Sequence, residues 1–319
     1  MRGLSRMAAQ TTTIRGAPFT GYQRLLYTDR EYSQLVVPHL KAPHISCSQD
    51  ADHVRQVAQR LQQDGILKVT LEFADDESRY LEALIRSLHA RHGHHLPIAH
   101  SATRGWFWEV RPSSASFQTA NHQARSETMR DFPWHTDCSY EYPPPRFFAL
   151  QVLQPDRFGG GTLSLMSVER LVEEHLGGGR CGATLATLMK PDAYRIAIPT
   201  EFVKGKQRGS GGETTRWIRG GLIMADNRGR PTLIRFREDI VTPLSDEAAA
   251  ALQDLKAALQ SLAAQVGSTI HLSATDLPAR SIILIDNRRW LHARNHVRDP
   301  ERHLRRVRWD AAPFPGESD

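Results

Sequence analysis

From residue 146 onward the chain is written mainly in short strand-like segments. "RFFALQVLQP", "GTLSLMS", "AYRIAIP", "TRWIRGGLIMADN", "RPTLIRFRED", "RSIILIDNRRWLHAR" and "HLRRVRWDAA" alternate or run apolar, and turn chemistry such as "DRFGGG" and Asp226-Asn227-Arg228-Gly229 lies between them. Regular strand–helix–strand alternation is absent, which disfavours a doubly wound parallel sheet. The pattern points instead to an α+β chain built on an antiparallel sandwich or barrel. Helical periodicity sits mostly at the N-terminal side. Ser48 or Asp50 caps "DHVRQVAQRLQQ" before Gly65, "ILKVTLEF" alternates as a strand, and "DESRYLEALIRSLHARHG" runs to Gly93. "VERLVEEHL" reads as a short helix. A late helical insertion, about 245–266, is capped by Ser245, carries Asp246 and Glu247 at its positive end and stops at Gly267.

With 319 residues, 40 % of them hydrophobic, the chain can bury a substantial core. No repeat or long linker divides it, so residues 17–319 are expected to form a single domain. Arg2, Arg6, Arg15 and Arg24 precede the first acid, Asp29, and residues 1–16 read as a disordered basic tail. No stretch approaches the roughly 20 apolar residues of a membrane span. Cys47, Cys138 and Cys181 are too scattered for a disulfide framework, which points to a reducing, cytoplasmic setting. The net charge of +6 is concentrated: between Asp286 and Trp309 eight arginines face three acids. An anion is expected near that segment, either nucleic acid or a small acidic ligand.

In "FPWHTDCSYEYPPP" (132–145), His135 and Asp137 are two residues apart. Strand alternation places them on one face, with Cα atoms about 6.6 Å apart, and sends Cys138 to the other, as a small buried hydrophobe. Two ligands rarely hold an ion, so a third must come from elsewhere. His292, at the end of the apolar "SIILIDNRRWLHAR", is the best candidate, and two histidines with one carboxylate suit Fe(II). His296 lies about 13 Å from His292 on an extended strand, too far to share the ion. "HGHH" (His92, His94, His95) is a rival cluster, but it ends a helix, where histidines meet the helix dipole.

"RHLRRVRW" places Arg302, Leu304, Arg306 and Arg308 on one strand face and Arg305, Val307 and Trp309 on the other. Guanidinium forks on the face bearing the metal would hold a dicarboxylate. "GKQRGSGGETT" (205–215) lacks the order of a phosphate loop and reads as a loop, with a lid one use of it. "RGWFWEVRP" offers Trp106, Trp108 and Arg111 to a pocket or, as aromatics, to the core.

Four ordered motifs, "WHTDCSYEYPPP", "GGGTL", "IDNRRWLHAR" and "RHLRR", make the chain from about residue 98 to 310 resemble the Fe(II)/2-oxoglutarate-dependent dioxygenases of the taurine dioxygenase and clavaminate synthase-like superfamily. The resemblance implies a distorted double-stranded β-helix (jelly-roll) core with flanking helices. It implies His135, Asp137 and His292 as iron ligands and Thr162 as a hydroxyl helping to hold 2-oxoglutarate. Arg302 would clamp the distal carboxylate, and Arg306 would be a second arginine near cosubstrate or substrate, with Arg305 its possible substitute. Many relatives carry glycine where Arg280 stands. The implied activity is hydroxylation or desaturation of an amino acid, small acid or natural-product intermediate, with O2 consumed and succinate and CO2 released. The carboxylate of Asp137 fills the position that chloride needs in related halogenases. A zinc hydrolase using the same ligands would leave Arg302 and Thr162 without a use, and a nucleic-acid-binding module would need the arginines exposed.

Overall fold

A computed structural model describes residues 36–97, 105–112, 125–177, 181–199, 217–265 and 267–317. The basic tail (1–16) and the 205–215 loop lie outside the described residues. In chain order the strands are β1 (His39–Ala42), β2 (Ile66–Leu71), β3 (Trp108–Val110), β4 (Phe132–His135), β5 (Pro145–Gln154), β6 (Leu163–Ser167), β7 (Tyr194–Ala197), β8 (Trp217–Gly220), β9 (Ile223–Met224), β10 (Leu233–Ile234), β11 (Val241–Pro243), β12 (Thr269–Leu272), β13 (Ser281–Asp286), β14 (Trp290–Arg294) and β15 (His303–Ala311). The α-helices are α1 (Ala51–Gln63), α2 (Arg79–His92), α3 (Val168–Leu171), α4 (Cys181–Leu188) and α5 (Asp246–Ala264).

Two sheets carry the site. One has the order β1-β2-β13-β5-β15-β3, the other β12-β6-β14-β4. Only β1 and β2 pair in parallel within them. The inward faces of the two sheets share one core, in which Phe148, Ile283, Ile285 and Leu304 meet Leu163, Leu165, Ile270 and Trp290. On the far side of the six-stranded sheet, Ile282, Leu284, Val307 and Trp309 pack on Val54, Val57 and Leu61 of α1 and Leu81, Leu84 and Leu88 of α2. This explains why "SIILID" is continuously apolar, for β13 is buried on both faces. Helices α3 and α5 enclose a further core with β7 and β10.

The helices begin as their caps require. Asp50 accepts from the His53 amide at 2.8 Å, and Ser245 accepts from the Ala248 amide at 3.1 Å. Gly65 turns the chain from α1 into β2 at φ 68°, and a Cβ there would lie 2.9 Å from Trp290 Nε1. Glycine is needed on both counts. That contact fixes the start of β14: Trp290 Nε1 donates to Asp64 O, and Arg289 donates to the carbonyls of Gln62 and Gln63 at the helix end.

Three readings of the sequence need correction. "RSIILIDNRRWLHAR" is two strands in two different sheets, because Asp286 accepts from the Arg288 amide and turns the chain at residues 287–289. "VERLVEEHL" continues from α3 into a π-helical turn, Val172–Leu176. β1, β12 and α4 have no counterpart in the sequence reading; glycines on both sides of Cys181 obscure α4.

Arg280 precedes β13 at φ 70°. A left-handed non-glycine residue costs about 1–2 kcal/mol, partly offset by glycine's unfolded-state entropy of about 0.5–1 kcal/mol. Arg280→Gly should therefore stabilise the protein by up to about 1 kcal/mol, read as a higher urea midpoint at unchanged slope.

β15 is held to α2 through the segment that follows the helix. His94 stacks on Phe147 and accepts from Trp309 Nε1 at 3.2 Å, while Asp310 Oδ1 accepts from the His95 amide. Burial lowers the His94 pKa from its ordinary 6.5, with Asp310 opposing the shift. The unfolded chain takes up this proton first, so the contribution is intact above about pH 6.5 and lost as pH falls below it. Wild type should lose melting temperature relative to His94→Gln over that descent.

Candidate metal centre and cosubstrate pocket

β4 and β14 lie side by side in the four-stranded sheet, with His135 directly opposite His292. Their ring centroids are 4.1 Å apart; Phe132 stacks on His135 at 3.6 Å, and Phe148 lies tilted against His292 at 4.6 Å. Strand β4 ends at His135, so alternation along a strand does not bring Asp137 to this point. A turn does. Thr136 N donates to Phe236 O at 2.7 Å, and Asp137 N donates to Asn287 Oδ1 at 2.7 Å. Asn287 Nδ2 donates back to Asp137 O at 2.9 Å and to Pro145 O at 3.1 Å. Cys138 follows at φ 54°. It lines the same cavity as Asp137 rather than facing the opposite way.

The resulting cluster is compact. Asp137 Oδ1 lies 3.8 Å from His135 Nε2 and 3.7 Å from His292 Nε2, and all three ligand atoms fall within 4.8 Å of one another. All three residues are buried, and among the described residues no other group of this kind exists. His135 Nδ1 meets Pro133 O at 2.7 Å, which leaves Nε2 as the lone-pair nitrogen facing the carboxylate. Burial, then the neighbouring His292, keeps the His135 pKa well below the imidazole range. Burial works to raise the Asp137 pKa, but the Arg306 guanidinium and His292 hold it well below the carboxylate range. Neutral imidazole and ionised carboxylate are the states a metal requires.

Asn287 escaped the sequence reading. It occupies the sheet-to-sheet turn and grips the backbone of Asp137 at both its N–H and its C=O. Its one signal was a polar residue set immediately after a buried apolar strand. Losing such support around a metal ligand typically weakens metal binding by about 10–100-fold. Asn287→Ala should show that loss in an Fe(II) titration, with its circular dichroism spectrum retained.

The arginines separate by face. Arg305 turns away to Glu109 Oε1 at 2.8 Å and Asp76 O at 2.6 Å. Arg306 faces the cluster, its Nη1 3.2 Å from Asp137 Oδ1. Arg302 enters a neighbouring cavity lined by Gly160, Gly161, Leu163, Leu272 and Leu304. It is 6 % exposed and has no hydrogen-bond or ion-pair partner among the described residues; burial, then the charge of Arg294, lowers its pKa to about 10. A Cβ at Gly161 would lie 2.7 Å from Arg302 Nε and one at Gly160 2.5 Å from His296 O. Gly161 thus lets the loop lie against the arginine, and Gly160 lets it lie against the backbone of residues 296–298. Thr162 comes next in the chain. Its amide donates to Asn295 Oδ1 at 2.7 Å, and it is not among the residues lining either cavity. Trp108 lines the cluster's cavity, whereas Trp106 packs beneath Arg86 on the helical side and Arg111 is exposed.

Two imidazoles and a carboxylate on one side of an ion leave positions open on the other, the arrangement suited to Fe(II) oxygen chemistry. The buried Arg302 guanidinium, which feels the charge of Asp156 but has no direct hydrogen-bond or ion-pair partner among the described residues, suits the far end of a dicarboxylate. The chain is an oxygenase of the non-haem iron, 2-oxoglutarate-dependent class. More narrowly, it belongs to the family described as taurine catabolism dioxygenase TauD, TfdA family, whose model matches residues 32–308. Among solved structures it is similar to asparagine oxygenase in complex with Fe(II), 2S,3S-3-hydroxyasparagine and succinate, at 17 % identity and TM-score 0.60, covering 83 % of this chain and 82 % of that one. It is also similar to the non-haem iron oxygenase OrfP in complex with Fe, succinate and (3R,4R)-dihydroxy-L-Arg, at 14 % identity and TM-score 0.58, covering 82 % of each chain. OrfP with Fe and alpha-ketoglutaric acid matches at 15 % identity and TM-score 0.55, covering 82 % of this chain and 79 % of that one. Comparison with curated protein sequences gave no match.

Proposed function

We propose that His135, Asp137 and His292 hold Fe(II), that Arg302 takes the distal carboxylate of 2-oxoglutarate beside Thr162, and that the enzyme hydroxylates or desaturates a small organic substrate. The observation that carries this reading is Arg302, a buried guanidinium with no hydrogen-bond or ion-pair partner among the described residues, set just before the strand β15 that carries the Arg306 touching Asp137. Similarity to oxygenases crystallised with hydroxylated amino acids and succinate supports an amino acid, small acid or natural-product intermediate as substrate. It also supports the double-stranded β-helix (jelly-roll) reading of the two packed sheets.

Bound at this site, iron and 2-oxoglutarate supply the oxidising power, with O2 consumed and succinate and CO2 released. The protein's own residues do the rest. Pro133 O orients the His135 ring, Arg306 keeps Asp137 ionised, and Asn287 fixes where its carboxylate stands. Phe132 and Phe148 cover one face of each imidazole and limit how the rings can turn. Arg302, Arg306 and Arg308 line the inter-sheet cavities, which favours small anions over nucleic acid as partners. Among the described residues no helix is long and apolar enough to cross a membrane. A cytoplasmic location stays part of this proposal on the scattered cysteines alone.

The test is a screen of amino acids and small acids for substrate-triggered O2 uptake and succinate formation. The expected result is stoichiometric oxygen loss and succinate gain with one or more compounds. Hydrolysis of a library member without oxygen uptake would favour a zinc hydrolase instead.

A further inference from the structure

We infer that Asp156 is a positioning residue for the cosubstrate: its carboxylate clamps two loops together so that Arg302 presents its guanidinium to the distal carboxylate of 2-oxoglutarate. The inference rests on the proposed assignment of Arg302. Asp156 is 3 % exposed and lines the same cavity as Arg302, Gly160 and Gly161. It accepts four hydrogen bonds, each from a backbone amide rather than from a cation. Oδ1 accepts from the amides of Phe158 at 2.9 Å and Gly160 at 3.1 Å, within the β5–β6 connection. Oδ2 accepts from the amides of Arg298 at 2.7 Å and Asp299 at 3.2 Å, within the β14–β15 connection. Alongside, the Gly161 amide donates to His296 O at 2.9 Å, and the Arg302 amide donates to Asp299 O at 3.1 Å. Burial works to raise the Asp156 pKa, but the four amides hold it below its ordinary 3.8, so the clamp is ionised at neutral pH.

Charge and geometry pull in opposite directions here. By charge alone, Asp156 weakens the site, because it already answers part of the Arg302 charge that an incoming carboxylate would answer. Its geometric contribution strengthens the site. A Cβ at Gly161 would meet Arg302 Nε at 2.7 Å, so the loop that Asp156 holds is the wall against which the guanidinium rests. The other loop under the clamp sets the backbone from which Arg302 projects, through Asp299 O. A free arginine side chain samples many rotamers, and ordering it when the ligand arrives costs affinity. Held between these two loops, Arg302 is ordered in advance.

Asp156→Asn keeps the shape, removes the charge and turns one acceptor oxygen into an NH2 donor that faces backbone amides. Anaerobic wild type and variant, loaded with Fe(II), are titrated with 2-oxoglutarate and with 2-oxopentanoate, the same ketoacid chain ending in a methyl group instead of the distal carboxylate. Asp156→Asn should weaken 2-oxoglutarate binding about ten-fold or more. Fe(II) affinity and 2-oxopentanoate binding should stay within a few-fold, which a general loss of structure would not allow. In an Arg302→Lys background the same substitution should cost less than about three-fold, because both changes act through one guanidinium. If 2-oxopentanoate binds too weakly to titrate, this cycle decides alone. Gly160→Ala, whose Cβ would lie 2.5 Å from His296 O and wedge the same loops apart, should reproduce the selective loss where Asp156→Asn does not fold. Unchanged or tighter 2-oxoglutarate binding, equal loss for both ketoacids, or full additivity with Arg302→Lys overturns the inference. Wild type that binds the two ketoacids equally well would instead overturn the assignment of Arg302 on which it rests.

Discussion

His135→Ala and His292→Ala should each leave a folded protein that no longer retains Fe(II) through gel filtration. The loss should exceed the roughly 10–100-fold that follows from disturbing a residue behind a ligand, because a bond to the metal itself is removed. Both imidazoles are buried against phenylalanine rings, Phe132 for His135 and Phe148 for His292. Truncation therefore also opens a cavity, and Gln is the better partner substitution for separating lost ligation from lost packing. Asp137→Asn tests the third ligand. It retains shape but gives up the charge that Arg306 faces at about 3 Å. If either histidine variant retained iron and turned over, the cluster would not be the metal site.

The second large effect belongs to Arg302. Arg302→Lys keeps the charge and loses the planar fork that a carboxylate meets with two hydrogen bonds. A charge-assisted bond is worth about 1.5–3 kcal/mol, so 2-oxoglutarate affinity should fall by about 10–150-fold. Arg305→Lys is the matched control. Its parent side chain is bound to Glu109 and Asp76 on the far face, and the affinity should barely move. Similar losses in both variants would mean that the segment acts as a diffuse basic stripe, with no single arginine clamping a carboxylate.

Side-chain chemistry made much of the site readable before the fold was known. His135, Asp137 and His292 stand out as candidates because metal-ligand types appear where apolar patterning breaks off, and Arg302 and Arg306 because strand alternation sorts a basic run into two faces. The α5 helix was readable from its Ser245 cap and long alanine-leucine stretch. What escaped was set by tertiary contacts. The β13–β14 break at Asn287 is a change of sheet, forced by the Arg289 and Trp290 contacts to the end of α1, and no local signal outweighed the surrounding apolar run. Strand alternation predicts Asp137 beside His135, and it stands there, but from a turn held by Asn287, 150 residues away in sequence. The same turn sends Cys138 into the cavity. Spacing within a motif singles out His135 and Asp137 as candidate ligands; their convergence with His292 comes from the pairing of β4 with β14 and from the turn held by Asn287.

One buried cluster is expected to bind Fe(II) and, through it, 2-oxoglutarate. Titrating anaerobic protein with Fe(II) and then with 2-oxoglutarate, while recording the visible spectrum, tests it most directly. The expected result is one equivalent of each per chain and a weak charge-transfer band that appears only when both are present. Binding of 2-oxoglutarate that is indifferent to iron, or iron binding that yields no band on its addition, would contradict it.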